Sequence, residues 1–138
     1  MIVETKAVNR HMAGSRESGA LVVEAAVIVP VAMLIVLLAV QVCLWAHAST
    51  LVQGAATAGE QAATVLGGSP ATGQKAAREE LTATASQVVV DPTVHAQGMA
   101  GGVVDVTVSG TTEAIIPWLR LPVSATRSGL SQEFRSSG

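Results

Sequence analysis

The longest apolar stretch of this chain covers residues 25–46, in which Gln41 is the one polar side chain. The last charged residue before it is Glu24, and the next is Glu60. A helix of about 20 apolar residues is long enough to cross a bilayer. The pattern therefore predicts a single transmembrane helix near the N-terminus, over residues 20–48.

Pro30 lies inside this predicted span, and its ring nitrogen cannot donate a hydrogen bond to the carbonyl of Ala26. Membrane helices tolerate this because neighbouring helices or a local adjustment satisfy the carbonyl, so we expect a mild kink. Towards the C-terminal end, Trp45 and His47 predict the membrane interface, where an indole finds apolar and polar partners together.

The helix is predicted to continue beyond the membrane over residues 49–66, until the sequence Gly-Gly-Ser-Pro at residues 67–70 ends it. Gly54 and Gly59 give this part a thin face that another helix can approach closely. Two partners remain open for that face, namely another subunit and the chain's own C-terminal domain. The predicted apolar stripe consists of Leu51, Ala55, Ala58, Ala62 and Val65.

A second, shorter helix is predicted over residues 72–87, with Thr72 as its N-cap. Glu79 and Glu80 lie within it, but adjacent helical residues point about 100° apart and cannot share a catalytic site. The predicted apolar face consists of Ala76, Leu81, Ala85 and Val88.

From residue 88 onwards the pattern is typical of β-strands. Residues 88–90 lead into Asp91-Pro92, which signals a turn or an edge strand, and residues 93–97 are expected to resume the strand. Residues 98–102 contain three glycines and predict a flexible loop.

The clearest alternation in the chain follows, because Val104, Val106 and Val108 alternate with polar residues. This strand is expected to extend to residue 116 past a bulge at Gly110. The last strand is predicted over residues 123–127, with an extension towards Phe134 left open.

Residues 117–122 form a loop bounded by two prolines and rich in apolar side chains. Trp118 admits two interpretations. It either fills the small core of the C-terminal domain or forms a contact surface, since Trp is enriched in interface hot spots.

These elements predict a membrane-anchored α+β chain. It would have a long N-terminal transmembrane helix, a short second helix and an antiparallel sheet of about three strands, covered by the helix on one face. The expected domains are a cytoplasmic leader (1–19), the transmembrane helix (20–48), its extracytoplasmic continuation (49–66) and a small α+β domain (67–138).

The composition narrows the range of functions. The chain has 138 residues, a net charge of −2, one Cys, two Trp, one Phe and no Tyr. There is no basic field for nucleic acid and no internal disulfide. A core built from Val, Leu, Ile and Ala is light, so we expect marginal stability outside an assembly.

The sequence offers little catalytic chemistry. His11, His47 and His95 are far apart and lack the spacing of metal ligands. No glycine-rich phosphate loop is present. We therefore expect no enzymatic activity, no metal, no cofactor and no small-molecule substrate.

The basic residues predict the orientation. Lys6, Arg10 and Arg16 precede the span, and the next basic residue after it is Lys75. The positive-inside rule therefore places the N-terminus in the cytoplasm and the C-terminal domain outside. The leader, residues 1–19, is expected to be unstructured.

A carboxylate at the start of an apolar span costs a few kcal/mol on insertion scales, so Glu24 needs compensation. Gly19 stands five residues before it, and the surrounding sequence, residues 17–30, reads Glu-Ser-Gly-Ala-Leu-Val-Val-Glu-Ala-Ala-Val-Ile-Val-Pro. This stretch resembles the cleavage signal of type IV-like prepilins. Within that class it is similar to the TadE-like pseudopilins, or minor pilins, of Tad/Flp tight-adherence pili.

The resemblance implies that a prepilin peptidase cleaves between Gly19 and Ala20. It also implies that Glu24 pairs with the freed amine of Ala20 in a neighbouring subunit, where an unpaired charge would be costly. The implied partners are the membrane, the peptidase, other pilins or pseudopilins and the Tad assembly platform. The role as filament component, member of an initiation complex or tip adhesin stays open.

Two alternatives compete with this interpretation. The chain is an anchored, exported binding module without a pilus role, or it is secreted after signal-peptidase cleavage at Ala48, because Ala46-His47-Ala48 fits the small-x-small pattern. The apolar run is longer than a signal peptide requires. The mature N-terminus distinguishes the three.

Overall fold

The computed structural model describes the backbone of residues 2–132 and the side chains of residues 16–132. The chain divides into two units, Met1–Ala39 and Val40–Gly138. The first unit belongs to the long helix, whereas the second contains its continuation, a short helix and three strands. The elements are α1 (Ile2–Thr64), α2 (Pro70–Thr84), β1 (Val89–Met99), β2 (Val103–Thr112) and β3 (Pro122–Leu130). The predicted fold class is confirmed.

The long helix α1 begins earlier than expected. It starts at Ile2, so the prediction of an unstructured leader is wrong. No proline precedes Pro30, and the leader is rich in good helix formers such as Ala, Met, Lys, Arg and Glu. At its other end α1 stops at Thr64, close to the predicted residue 66. Gly67 follows with a φ of 80°, a conformation that favours glycine.

The second helix begins at Pro70 and not at Thr72. Ser69 is its N-cap, and the Ser69 side chain accepts a hydrogen bond from the Thr72 backbone N–H at 3.2 Å. Proline is well suited to the first helical position because its missing N–H would be unpaired there in any case. The helix ends at Thr84, three residues before the predicted end, and its buried residues are Gly73, Ala77 and Leu81.

The buried face of α1 differs from the predicted stripe by about one residue. Leu51, Ala58 and Ala62 are half-buried and Val65 is exposed. The face that packs on the domain consists of Ala48, Val52, Ala55, Ala56, Gly59 and Ala63. These small residues allow close approach: a Cβ atom built on Gly59 would lie 2.9 Å from the Gly73 carbonyl oxygen. Of the two partners left open, the chain's own domain therefore covers Gly59.

The three strands form one antiparallel sheet in the order β1-β2-β3. The side chains of Val104, Val106 and Val108 are buried in the core with Val94 and Val123, as their alternation predicted. The expected flexible loop is shorter than residues 98–102, because β1 continues to Met99. The actual turn uses Gly101 and Gly102, with φ values of 82° and 78°.

The bulge lies in β1 and not at Gly110 in β2. Val90 pairs with Thr111 and Thr93 with Ser109, so two residues of β1 oppose Gly110 alone. Pro92 is tolerated there because β1 is an edge strand and the bulge requires no N–H from it. Gly110 is needed opposite, since a Cβ atom on it would lie 2.5 Å from Val89 Cγ1. The β2–β3 register runs through Gly110 without a shift.

The strands β2 and β3 end earlier than the longest predicted extensions. Strand β2 stops at Thr112, and residues 113–121, which we call the 113–121 loop, connect it to β3. Strand β3 runs from Pro122 to Leu130. The extension towards Phe134 lies outside the described residues.

Candidate functional site

The predicted cleavage motif lies in one exposed stretch of α1. Gly19, Ala20 and Glu24 are all exposed, and a Cβ atom built on Gly19 meets nothing within 4 Å. Ala20 and Glu24 are four residues apart, so they lie on one helix face, one turn from each other. The structure thus places the acid and the predicted new N-terminus together, and places Gly19 within a helix.

Glu24 has no oppositely charged partner in the described part of the chain. The ion pair found among residues 16–132 joins Lys75 Nζ to Glu79 Oε1 at 4.0 Å, on an exposed side of α2. The pairing of Glu24 with another subunit stays a prediction.

The middle of α1, from Leu21 to Val42, presents a long apolar surface. Only 6% of its most apolar 18-residue window is buried, whereas the core helix of a soluble domain would be mostly buried. By length and composition this helix is able to cross a membrane. Pro30 lies inside it, as expected. These features are consistent with a single-pass anchor.

Gln41 has a structural role that the sequence pattern did not predict. Its side chain is fully buried although it lies in the apolar run. The amide nitrogen Nε2 donates to the carbonyl oxygen of Glu113 at 3.4 Å and to Thr112 Oγ1 at 3.5 Å. The oxygen Oε1 accepts from the Ile115 backbone N–H at 3.1 Å. The sequence signal for this role was that Gln41 is the one polar side chain in the apolar run of residues 25–46.

Trp45 makes a second polar link between α1 and the same region of the domain. Its indole Nε1–H donates to the carbonyl oxygen of Pro122 at 3.2 Å, while the ring remains 41% exposed. Residues 41–45, predicted as part of the span, therefore also hold the C-terminal domain.

Trp118 lies on the surface, with 81% of its side chain exposed. The interpretation in which it fills the domain core is wrong, because the core is built from Ala, Val and Leu side chains of both helices and the sheet. Within the 113–121 loop, Ile116 is the residue that is buried. The role of Trp118 as a contact surface stays a prediction.

The histidines do not come together in the described residues. His47 in α1 and His95 in β1 are both exposed, and the side chain of His11 lies outside the described residues. No group of three or more His, Cys, Asp or Glu side chains suited to a metal ion occurs among residues 16–132.

Comparison with known proteins gives one match. Residues 19–60 match the family model of the TadE-like proteins. This segment contains Gly19, Ala20, Glu24, Pro30 and Gln41, and it ends within α1, before α2 and the sheet. No curated protein and no solved structure matches the chain. The resemblance to the TadE-like family that the sequence predicted is thereby confirmed over residues 19–60.

Proposed function

We propose that this chain is a membrane-anchored pseudopilin of a Tad-type pilus, whose leader is removed by a prepilin peptidase between Gly19 and Ala20. The observation that carries the proposal is the TadE-like match, which begins at Gly19 itself and includes Glu24. The exposure of both residues supports it, because a peptidase and a neighbouring subunit both need access to them.

Glu24 would act at the docking of subunits. After cleavage, the new amine of Ala20 and the side chain of Glu24 would lie one turn apart on one exposed face of α1. In a low-dielectric helix bundle, each would be stabilised by the opposite charge of a neighbouring chain. The partners at this step are other pilins or pseudopilins and the assembly platform, and the pilus would serve adhesion, colonisation or secretion.

The charge distribution supports a cytoplasmic N-terminus. Lys6, Arg10 and Arg16 precede the span, and no basic residue follows until Lys75. The domain formed by α2 and the sheet would then stand on the extracytoplasmic side of the cytoplasmic membrane, with no enzymatic role of its own.

Secretion after cleavage at Ala48 is less well supported. Ala48 is fully buried in the core of the second unit. Cleavage there would also remove Gln41 and Trp45, whose side chains bond to residues 112–122. The domain would lose several of its polar links, so retention of the helix is the better proposal.

The test is the mature N-terminus of the membrane-purified chain, co-expressed with the matching prepilin peptidase. The parent should begin at Ala20. Gly19→Val should stay at full length, because a branched side chain replaces a residue that lets the backbone enter a protease cleft. Gly14→Val, a substitution of the other leader glycine, is the matched control and should be cleaved normally.

If Gly19→Val is shortened as fast as the control, the assignment of the cleavage site is wrong. An N-terminus at Ser49 would instead establish signal-peptidase cleavage. A full-length membrane protein in the parent and in both variants would contradict processing and would favour the anchored binding module.

A further inference from the structure

The 113–121 loop is held firmly against α1. Its first residues bond to Gln41, as described above, and Ile115 contributes its backbone N–H. At the other end, the Thr112 backbone N–H donates to the Leu121 carbonyl oxygen at 2.9 Å, which closes the loop. Trp45 fixes Pro122, the next residue. The loop is therefore fixed beside residues 41–45 of α1.

These residues mark the end of the span when the length is counted along α1. From Ala20 to Val40 the helix rises roughly 31 Å at 1.5 Å per residue, which matches the hydrocarbon thickness of about 30 Å. The headgroup region adds roughly 5–7.5 Å on each side, which corresponds to about the next three to five residues at 1.5 Å per residue. With the anchoring proposed above, Gln41 would lie in the interfacial layer, Trp45 at its outer limit, and the loop bonded to them at the same level.

The loop exposes the side chains that such a layer favours. Trp118 is 81% exposed and Ile115 is 44% exposed, although the domain has few large apolar residues. Indole rings are enriched at membrane–water interfaces because the ring is apolar and the N–H is polar. Arg120 is exposed in the same loop, and basic side chains near a membrane surface attract lipid phosphates.

We propose that the 113–121 loop is a second membrane contact, in which Trp118 and Ile115 insert into the phospholipid headgroup layer at the end of the span. This proposal rests on the single-pass anchoring proposed above. The domain would then be attached to the bilayer at two places, namely α1 and the loop. A lipid surface is favoured over a protein partner because the loop is fixed to the residues that end the apolar run.

The test uses purified full-length chain in liposomes of phosphatidylcholine with a minor share of phosphatidylglycerol, with and without brominated phosphatidylcholine, which quenches tryptophan on contact. Trp45→Phe leaves Trp118 as the reporter. Trp118→Phe leaves Trp45, which reports on anchoring alone. The matched control carries both substitutions together with Gln97→Trp. Gln97 is exposed and pairs with Asp105 of β2. Asp105 lies roughly 23 Å along β2 from the start of the loop, so a tryptophan at position 97 reports on a surface far from the loop.

We expect clear quenching of Trp118 and of Trp45, since indoles favour the interfacial layer that contacts the lipid, and little quenching of the Gln97→Trp control. Quenched Trp45 with unquenched Trp118 would overturn the loop proposal while anchoring stands, and would favour a protein contact. If neither is quenched, anchoring fails and the loop proposal fails with it. Should Trp45→Phe disturb folding, the difference between parent and Trp118→Phe emission gives the Trp118 signal in the folded protein.

Discussion

Gly59 and Gly54, both in α1, should respond differently to the same substitution by alanine. Gly59 is buried where α1 meets α2 and β2. A Cβ atom there would lie 2.8 Å from Val106 Cγ1, 2.9 Å from the Gly73 carbonyl oxygen and 3.0 Å from Ala77 Cβ. A Cβ atom on Gly54 meets nothing within 4 Å.

The expected difference in the free energy of unfolding between the two variants follows from two contributions. Replacing glycine by alanine in a helix favours the helix by about 1 kcal/mol at either position. At Gly59 the added methyl group must also displace a backbone carbonyl of α2, and overpacking of this kind costs about 1–3 kcal/mol. The propensity term cancels between the variants, so Gly59→Ala should be less stable than Gly54→Ala by about 1–3 kcal/mol.

The measurement is urea unfolding of the full chain in lipid nanodiscs. With Trp118→Phe in every variant, Trp45 fluorescence is a suitable signal because its indole bonds to the domain at Pro122. Gly54→Ala should be at least as stable as the parent. If Gly59→Ala unfolds at the same urea concentration as Gly54→Ala, or at a higher one, the close approach of α1 to α2 and β2 is refuted.

Three further predictions concern the polar links, the acid and the orientation. Gln41→Leu should speed hydrogen exchange of the Ile115 amide about tenfold, because it removes one hydrogen bond to that amide. Gln53→Leu, on the exposed side of α1, should leave the exchange rate unchanged. Equal exchange rates of the Ile115 amide in the two variants would contradict the structural role of Gln41. Glu24→Gln should be cleaved normally after Gly19 but should co-purify less with the other pilus components at equal amounts of processed protein, and undiminished assembly would contradict the pairing mechanism. A reporter active only outside the cytoplasm, fused to the C-terminus, should be active, and a stable but inactive fusion would reverse the proposed topology.

Local signals in the sequence predicted the type and order of the elements of this chain, although not the helical leader. The apolar run predicted the long helix, the sequence at residues 67–70 predicted its end, and the alternation of valines in β2 predicted their burial on one face. Each of these signals depends on neighbouring residues alone. The predicted cleavage motif is also local, and the family match begins at Gly19.

The tertiary structure decided which surfaces meet. The helical spacing of apolar residues placed Leu51 and Val65 on the packed face of α1, but the close approach of α2 selected the smaller Gly59 and Ala63. The bulge was expected at Gly110, yet the extra residue lies in β1, because the register of two paired strands determines it.

The environments of Gln41 and Trp118 could not be predicted from the sequence either. The partners of Gln41 are more than 70 residues away in the chain, and no local pattern identifies them. Trp118 is exposed because aliphatic side chains of the helices and the sheet already fill the core. Propensity and periodicity depend on residues within a few positions of each other, whereas burial and hydrogen-bond partners depend on contacts between distant segments, which form only when the chain folds.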